Sequence, residues 1–260
     1  MKSVHRLLDP ETPARLPPKS CALAVMTKAP RAGQVKTRLV PPLTPQEAAT
    51  LNTCFLRDTA NAISAAAHIG NENGEKGYGV AVYTPVGSEE LYLEIAPPEF
   101  GLIPQRGQGF GDRLHAAAED LFKCGFDSVC LIDSDSPTVR AGIFAQAAQF
   151  LHHAGDRIVL GPSDDGGYYL IGLKKPHREM FERIDWSTEQ VFEQTMKRAA
   201  EIGLEVKLLP TCYDVDGPAS LHRLCDELLS QNSRNDVAPE TRKFLKEIIA
   251  RDGRDRIWPV

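Results

Sequence analysis

Three separated stretches of this chain carry acidic pairs. Leu131-Ile132-Asp133-Ser134-Asp135 ends an apolar run with aspartates spaced i, i+2. Side chains alternate along a strand, so this spacing turns both carboxylates the same way. At roughly 6 Å and an effective dielectric of about 20, two such charges repel by about 3 kcal/mol. A hard divalent cation removes that cost and takes oxygen ligands. A second pair, Asp214 and Asp216, has the same spacing in Tyr213-Asp214-Val215-Asp216-Gly217-Pro218, just ahead of a helix. Asp216 fits a helix cap equally well, a use that occupies one carboxylate oxygen and leaves the other. Asp133, Asp135 and Asp216 thus form a candidate divalent-cation centre. The third stretch, Gly161-Pro162-Ser163-Asp164-Asp165-Gly166-Gly167-Tyr168-Tyr169, reads as strand, tight turn, strand. Its Asp-Asp-Gly-Gly is a hairpin signal, and Asp164 or Asp165 is expected at the site rim, binding an acceptor hydroxyl or serving as a base.

A basic segment complements these acids. Thr27 to Leu39 packs four cations, Lys28, Arg31, Lys36 and Arg38, into eleven positions, with Gly33 among them for close backbone approach. It follows the first apolar strand, and in open α/β sheets ligands sit at the carboxyl ends of strands. Polyphosphate oxygens need such partners once water leaves. A solvated surface turn is the plainer alternative. Val35 stands where a Walker A loop requires glycine, and G-x-G-x-x-G is absent here. The later run Gly107, Gly109, Gly111 is read as a flexible turn. In Asp185-Trp186-Ser187-Thr188, Ser187 and Thr188 sit where a helix start could present donors to a phosphate or sugar, or simply cap the helix under a packed tryptophan. No histidine is assigned a role, and chain order supports no Ser-His-Asp or Cys-His arrangement.

Strands are expected over Cys21–Met26, Gly79–Tyr83, Val129–Ile132, Arg157–Leu160, Tyr168–Leu173 and Leu204–Leu209. A capping box at Thr44 to Glu47, with proline at the first helical position, starts a helix. A second match at Ser187 and Gln190 starts another, stopped by Gly203. Further helices are expected in 89–95, around Leu114–Phe122 and Ile143–Leu151, and over Pro218–Leu229 and Pro239–Ala250. Gly70 to Gly77 and Ser230 to Val237 read as polar connections. This alternation predicts an α/β fold, a three-layer α/β/α sandwich on a mixed, mostly parallel sheet. Residues 1–20 read as an irregular arm and 21–260 as one domain.

The chain has 260 residues, of which 42% are hydrophobic, and a formal net charge of -5. An acidic balance argues against a protein that neutralises many nucleic-acid phosphates. Six cysteines without a C-x-x-C pair fit a reduced, cytoplasmic protein. Residues 1–20 lack the apolar core of a secretory signal, and no run of 18 apolar residues marks a membrane span.

In order, the basic loop, Asp133-Ser134-Asp135, Asp164-Asp165-Gly166-Gly167-Tyr168 and Asp214-Val215-Asp216 resemble the nucleotide-diphospho-sugar transferase superfamily. Together with Gln105 to Leu114 and Asp185 to Thr188, the chain is similar to a bacterial nucleotide-diphospho-sugar transferase-like family, some members of which are tied to arsenosugar biosynthesis. The resemblance spans about residues 21–225. It implies the glycosyltransferase type-A fold, with a nucleotide over the loop of the first strand. It also implies Mg2+ or Mn2+ on Asp135, with or without Asp133, completed by Asp216. Gly217 stands where the superfamily often has threonine. The implied reaction is glycosyl transfer from a nucleotide sugar to a small-molecule acceptor. The basic loop is also similar to the triphosphate-gripping loop of nucleotidyltransferases, which join a nucleoside triphosphate to a phosphorylated small molecule and release pyrophosphate. Nucleotide binding without turnover is the third reading.

Overall fold

A computed structural model describes residues 5–69, 76–231 and 233–259. One eight-stranded sheet organises the chain. Its strands are β1 (Arg6–Leu7), β2 (Ser20–Lys28), β3 (Lys76–Thr84), β4 (Gly101–Pro104), β5 (Ser128–Ile132), β6 (Arg157–Pro162), β7 (Tyr168–Leu173) and β8 (Glu205–Leu208), in the spatial order β1-β4-β3-β2-β5-β7-β6-β8. All neighbouring pairs run parallel except those of β7, which is antiparallel to both β5 and β6. The expected mixed α/β sheet is therefore present, and the departure from parallel pairing is the hairpin of the Asp-Asp-Gly-Gly turn. In that turn Ser163 N–H donates to Gly167 O at 3.0 Å, and Gly166 takes φ +89°.

Alternation along β2 sorts the core. Leu23 and Val25 pack on one face with α1 (Pro45–His68) and α4 (Ala141–His152), alongside Phe144 and Leu151. Ala22 and Ala24 pack on the other with α3 (Phe110–Lys123) and α5 (Val191–Glu201), alongside Leu114 and Ala199. Both faces of β2 and β5 are buried, as near-continuous apolar strands in a covered parallel sheet should be. A third cluster joins α1 to α6 (Pro218–Leu229) and α7 (Pro239–Asp252) through Phe55, Leu224 and Leu245. A short α2 (Glu89–Tyr92) precedes β4. No helix among the described residues is long and apolar enough to cross a membrane.

Several local expectations need correction. The arm is not irregular throughout: β1 pairs with β4 at the sheet edge, and Leu8 and Leu16 pack on the core, while residues 1–4 lie outside the described residues. Strand β4 carries only Leu102 and Ile103 between glycine and proline, too little pattern to read from sequence. The expected turn at 70–77 lies outside the described residues over 70–75, and Lys76 and Gly77 belong to β3. The glycine run is no free turn, because Gly109 caps α3 and Gly111 lies inside it. At Ser187 no helix begins. That residue takes φ +66°, and α5 starts at Val191 behind Gln190. The Thr44 box does form: Glu47 N–H donates to Thr44 Oγ1 at 3.2 Å, and Thr44 N–H donates to Glu47 Oε2 at 2.8 Å.

Glu47 also receives Arg251 and Arg256, tying α1 to the chain end. Burial alone would raise its pKa, but Arg256, the Thr44 amide and Arg251 outweigh burial and hold the carboxyl at about 2. A depressed carboxylate stabilises the fold above its unfolded value of about 4.5 and loses that contribution as pH falls towards 2. Glu47→Gln is therefore expected to lower unfolding free energy by about 2 kcal/mol at pH 7. In urea titrations the gap to the unaltered protein should close progressively below pH 4.5.

Candidate functional site

Strands β2, β3 and β4 lead the chain to one side of β2, and β5 returns on the other. That reversal makes a crevice at the carboxyl ends of β2 and β5, the place where open α/β sheets take ligands. Because β7 runs antiparallel to β5, its first residue, Tyr168, and the turn before it arrive at the same edge. A cleft of about 420 Å³ opens there. Met26 enters it from β2, and Asp133 and Asp135 from the end of β5. Asp165 comes from the hairpin turn, and Asp214 and Asp216 from the segment before α6.

One buried cation organises this acidic end. Lys36 adopts left-handed φ 48°, ψ 37°, and its side chain is 3% exposed between buried Val35 and Leu39. Its ammonium lies 2.8 Å from Asp135 Oδ1, donates to Val215 O at 2.7 Å and sits over the Phe55 ring. Val215 N–H donates back to the Asp135 carbonyl at 2.9 Å. The two acidic pairs, some 80 residues apart in sequence, are thus stitched together. Ser136 donates to Asp133 Oδ2 at 2.7 Å. Even so, burial, the charge of Asp135 and the weaker one of Asp214 push the Asp133 carboxyl up to about 8, with Ser136 and Lys36 opposing. Burial, then Asp165 and Asp135, raise Asp214 to about 6.

The expected site residues divide. Asp133, Asp135, Asp165, Asp216 and Arg38 converge on the cleft, as do Ser187 and Thr188. Lys36 lies outside the cleft lining, its ammonium paired with Asp135. Lys28 donates to Gln34 O within its own loop, and Lys28, Arg31 and Gly33 lie outside the cleft lining. Asp164 turns outward to pair with Arg223, which leaves Asp165 as the hairpin carboxylate at the site. Asp216 does not cap α6. Its carboxylate pairs with Arg38, while its amide and that of Gly217 donate to Ser220 Oγ. Sequence reasoning assigned no role to Asp214, although its i, i+2 spacing from Asp216 was the available signal. It also missed Phe110 and Tyr168, which line the cleft in contact with Trp186.

Every acidic donor at the charged end is a hard oxygen ligand, suited to Mg2+ or Mn2+. Among the described residues no three His, Cys, Asp or Glu side chains stand together as a ready-made cage.

The architecture is the Rossmann-like α/β fold of nucleotide-diphospho-sugar transferases. A crystal structure from Desulfovibrio desulfuricans G20, provisionally named a nucleotide-diphospho-sugar transferase, matches with a TM-score of 0.73 at 28% identity. The match covers 89% of this chain and 96% of that one. Residues 75–188 match the family described as "Uncharacterized protein conserved in bacteria (DUF2064)". No curated protein matches the chain. More distant structures include a CMP:2-keto-3-deoxy-manno-octonic acid synthetase complexed with CTP (TM-score 0.48, 11% identity, 79% of this chain and 96% of that one). Another is the Mycobacterium tuberculosis glucosyl-3-phosphoglycerate synthase with Mn2+, UDP and glucosyl-3-phosphoglycerate (TM-score 0.46, 11% identity, 91% and 81%). At these values the likeness says nothing about activity.

Two variants separate the cations. Removing Lys36 takes away the cation that offsets repulsion among Asp133, Asp135 and Asp214, so Lys36→Met is expected to lower the melting temperature of the unliganded protein by several degrees. Arg38 has a side chain 76% exposed, and Arg38→Ala should leave unliganded stability within about 0.5 kcal/mol. For Asp133 the sign is reversed relative to Glu47. A raised carboxyl disfavours the fold increasingly as pH climbs from its unfolded value of about 3.8 through 8. Without added divalent cation, Asp133→Asn should therefore stabilise the protein more at pH 8 than at pH 5 in thermal unfolding.

Proposed function

We propose that this protein is a transferase that uses a nucleotide-diphospho-sugar and moves its glycosyl group to a small-molecule acceptor with the help of a divalent cation. The observation that carries this reading is the meeting of Asp133–Asp135 with Asp214–Asp216 at the β2/β5 crevice, held together by Lys36 and flanked by Arg38. The 28%-identical match over most of both chains supports it. Asp135 and Asp216, with Asp133 beside them, would hold Mg2+ or Mn2+. When bound, such an ion neutralises charge on the departing nucleoside diphosphate. Arg38, exposed at the rim in the short 3-10 turn Thr37–Leu39, offers a guanidinium to the diphosphate oxygens.

Asp165 orients the acceptor. The acceptor hydroxyl oxygen forms a bond to the anomeric carbon as that carbon's bond to the diphosphate oxygen breaks. The bonding pair leaves with the nucleoside diphosphate, and the hydroxyl proton passes to the Asp165 carboxylate.

Nucleotidyl transfer from a nucleoside triphosphate is the second reading. It depended on four loop cations gripping a triphosphate, and only Arg38 of the four lines the cleft. The balance therefore moves towards glycosyl transfer.

Counting products tests the choice. Incubation with nucleotide sugars and Mg2+ or Mn2+ should release nucleoside diphosphate. Pyrophosphate from a nucleoside triphosphate plus a phosphorylated substrate would establish the second reading instead. Asp135→Ala should abolish metal-dependent nucleotide binding in calorimetry, and affinity unchanged by the substitution and by EDTA would remove the cation from the mechanism. Relative to the unaltered protein, Arg38→Ala is expected to lose a charged hydrogen bond to phosphate and about 1.5–3 kcal/mol of nucleotide affinity.

A further inference from the structure

The cleft lining combines acids with an aromatic group. Phe110 stands 52% exposed at the start of α3, edge-on to Trp186 with ring centroids 5.1 Å apart, and Tyr168 meets Trp186 at 6.5 Å. Trp186 is seated firmly: a side-chain carbon at Gly111 would lie 2.6 Å from its Nε1. The turn that carries it is clamped by Gln194, whose Nε2 donates to Asp185 Oδ2 at 2.7 Å and whose Oε1 accepts from Asp185 N–H at 2.7 Å. Ser187, held at φ +66°, and Thr188 line the cleft beside it. Left-handed backbone at a non-glycine residue persists only where its surroundings over-determine it, and such residues gather at ligand sites. Ser163, buried at the cleft lining, has a hydroxyl with no hydrogen-bond partner.

Charge decides what these walls accept. Among the described residues lining the cleft, Asp133, Asp135, Asp165, Asp214, Asp216 and Glu189 face a single basic side chain, Arg38. Lys36 outside the lining is paired with Asp135 and Arg38 with Asp216, so Asp165, Asp214 and Glu189 make up the remaining excess. A donor diphosphate and its divalent cation largely offset each other and leave that excess in place, so a second anionic ligand is repelled. A ring with an apolar face stacks on indole and phenyl surfaces, and its hydroxyls donate to carboxylate and serine oxygens. We propose that the Phe110–Trp186 wall is the acceptor subsite and that it takes an uncharged, hydroxyl-bearing ring of the sugar or glycoside class, excluding phosphorylated acceptors. This rests on the glycosyl-transfer reading.

Trp186 and Trp258 are the two tryptophans of the chain, so emission of a Trp258→Phe variant reports Trp186 alone. With nucleoside diphosphate and Mg2+ present, methyl glycosides of glucose, galactose and mannose are titrated beside the matching 6-phosphates. At least one uncharged glycoside is expected to change Trp186 emission saturably, with its 6-phosphate at least tenfold weaker. Calorimetry on the unaltered protein repeats the comparison should Trp258→Phe fold poorly. Phe110→Ala should weaken glycoside binding at least fivefold while leaving nucleoside diphosphate binding unchanged. Equal or tighter binding of the 6-phosphates, no response to any glycoside, or no effect of Phe110→Ala would overturn the proposal. So would a response to free nucleosides instead, because the aromatic wall would then hold the base. Release of no nucleoside diphosphate from any nucleotide sugar sinks the glycosyl-transfer reading separately, since the binding preference is read without turnover.

Discussion

The Lys36 ammonium is shared between a carboxylate on one strand end and a carbonyl on another segment, and the geometry of the charged cleft follows from that sharing. A lysine buried to this degree needs a counter-charge and satisfied donors, since an isolated ammonium in the interior is strongly disfavoured. Asp135 and Val215 O supply them, and the reciprocal bond from Val215 N–H to Asp135 O fixes the register between the two segments. Such a pair contributes little net stability over an apolar replacement, and registry is its best-supported use. The left-handed backbone at Lys36, a cost of about 1–2 kcal/mol in a non-glycine residue, is offset by burial of Val35 and Leu39 on either side, with Leu39 entering the α1–α6 cluster.

Strand β7 performs the complementary task. Were it parallel to β5, its preceding turn would open at the opposite edge of the sheet. Antiparallel pairing delivers Asp165 and Tyr168 to the carboxyl end of β5. The cleft is therefore assembled from two mechanisms: parallel strands end in loops at one edge, and a single reversed strand begins there. Helices α3 and α5 then close one flank through Phe110, Leu114 and Val191, while the segment leading into α6 closes the other.

Much of this was legible in sequence because the physics was local. The i, i+2 aspartates, the Asp-Asp-Gly-Gly turn and the Thr44 capping box each depend on a few adjacent residues. Both acidic pairs line the same cleft. What sequence could not reveal was the fate of each cation in the Lys28–Arg38 loop. Four similar side chains end as a loop tether, an exposed arginine, a buried counter-charge and a rim guanidinium, and only tertiary packing distinguishes them. The same holds for Asp164 and Asp165, neighbours whose alternation sends one to Arg223 and the other to the cleft. Ser187 misled because its side chain fits a helix start while its backbone is recruited to a turn. Strand β4 and the edge strand β1 are short, and they are ordered by partners already in the sheet rather than by their own pattern.

Gly166 joins the Asp165 hairpin to the turn after Trp186. A side chain there would run into the Glu189 backbone, and the Gly166 carbonyl accepts from Phe192 N–H at 2.8 Å. The hairpin tip that carries Asp165 and the turn that carries Trp186 are thus fastened to each other as well as to the sheet. They form one jaw: widening the gap for a bulkier guest requires both to swing together, so pocket size and carboxylate placement cannot be re-tuned independently by changes in either loop alone.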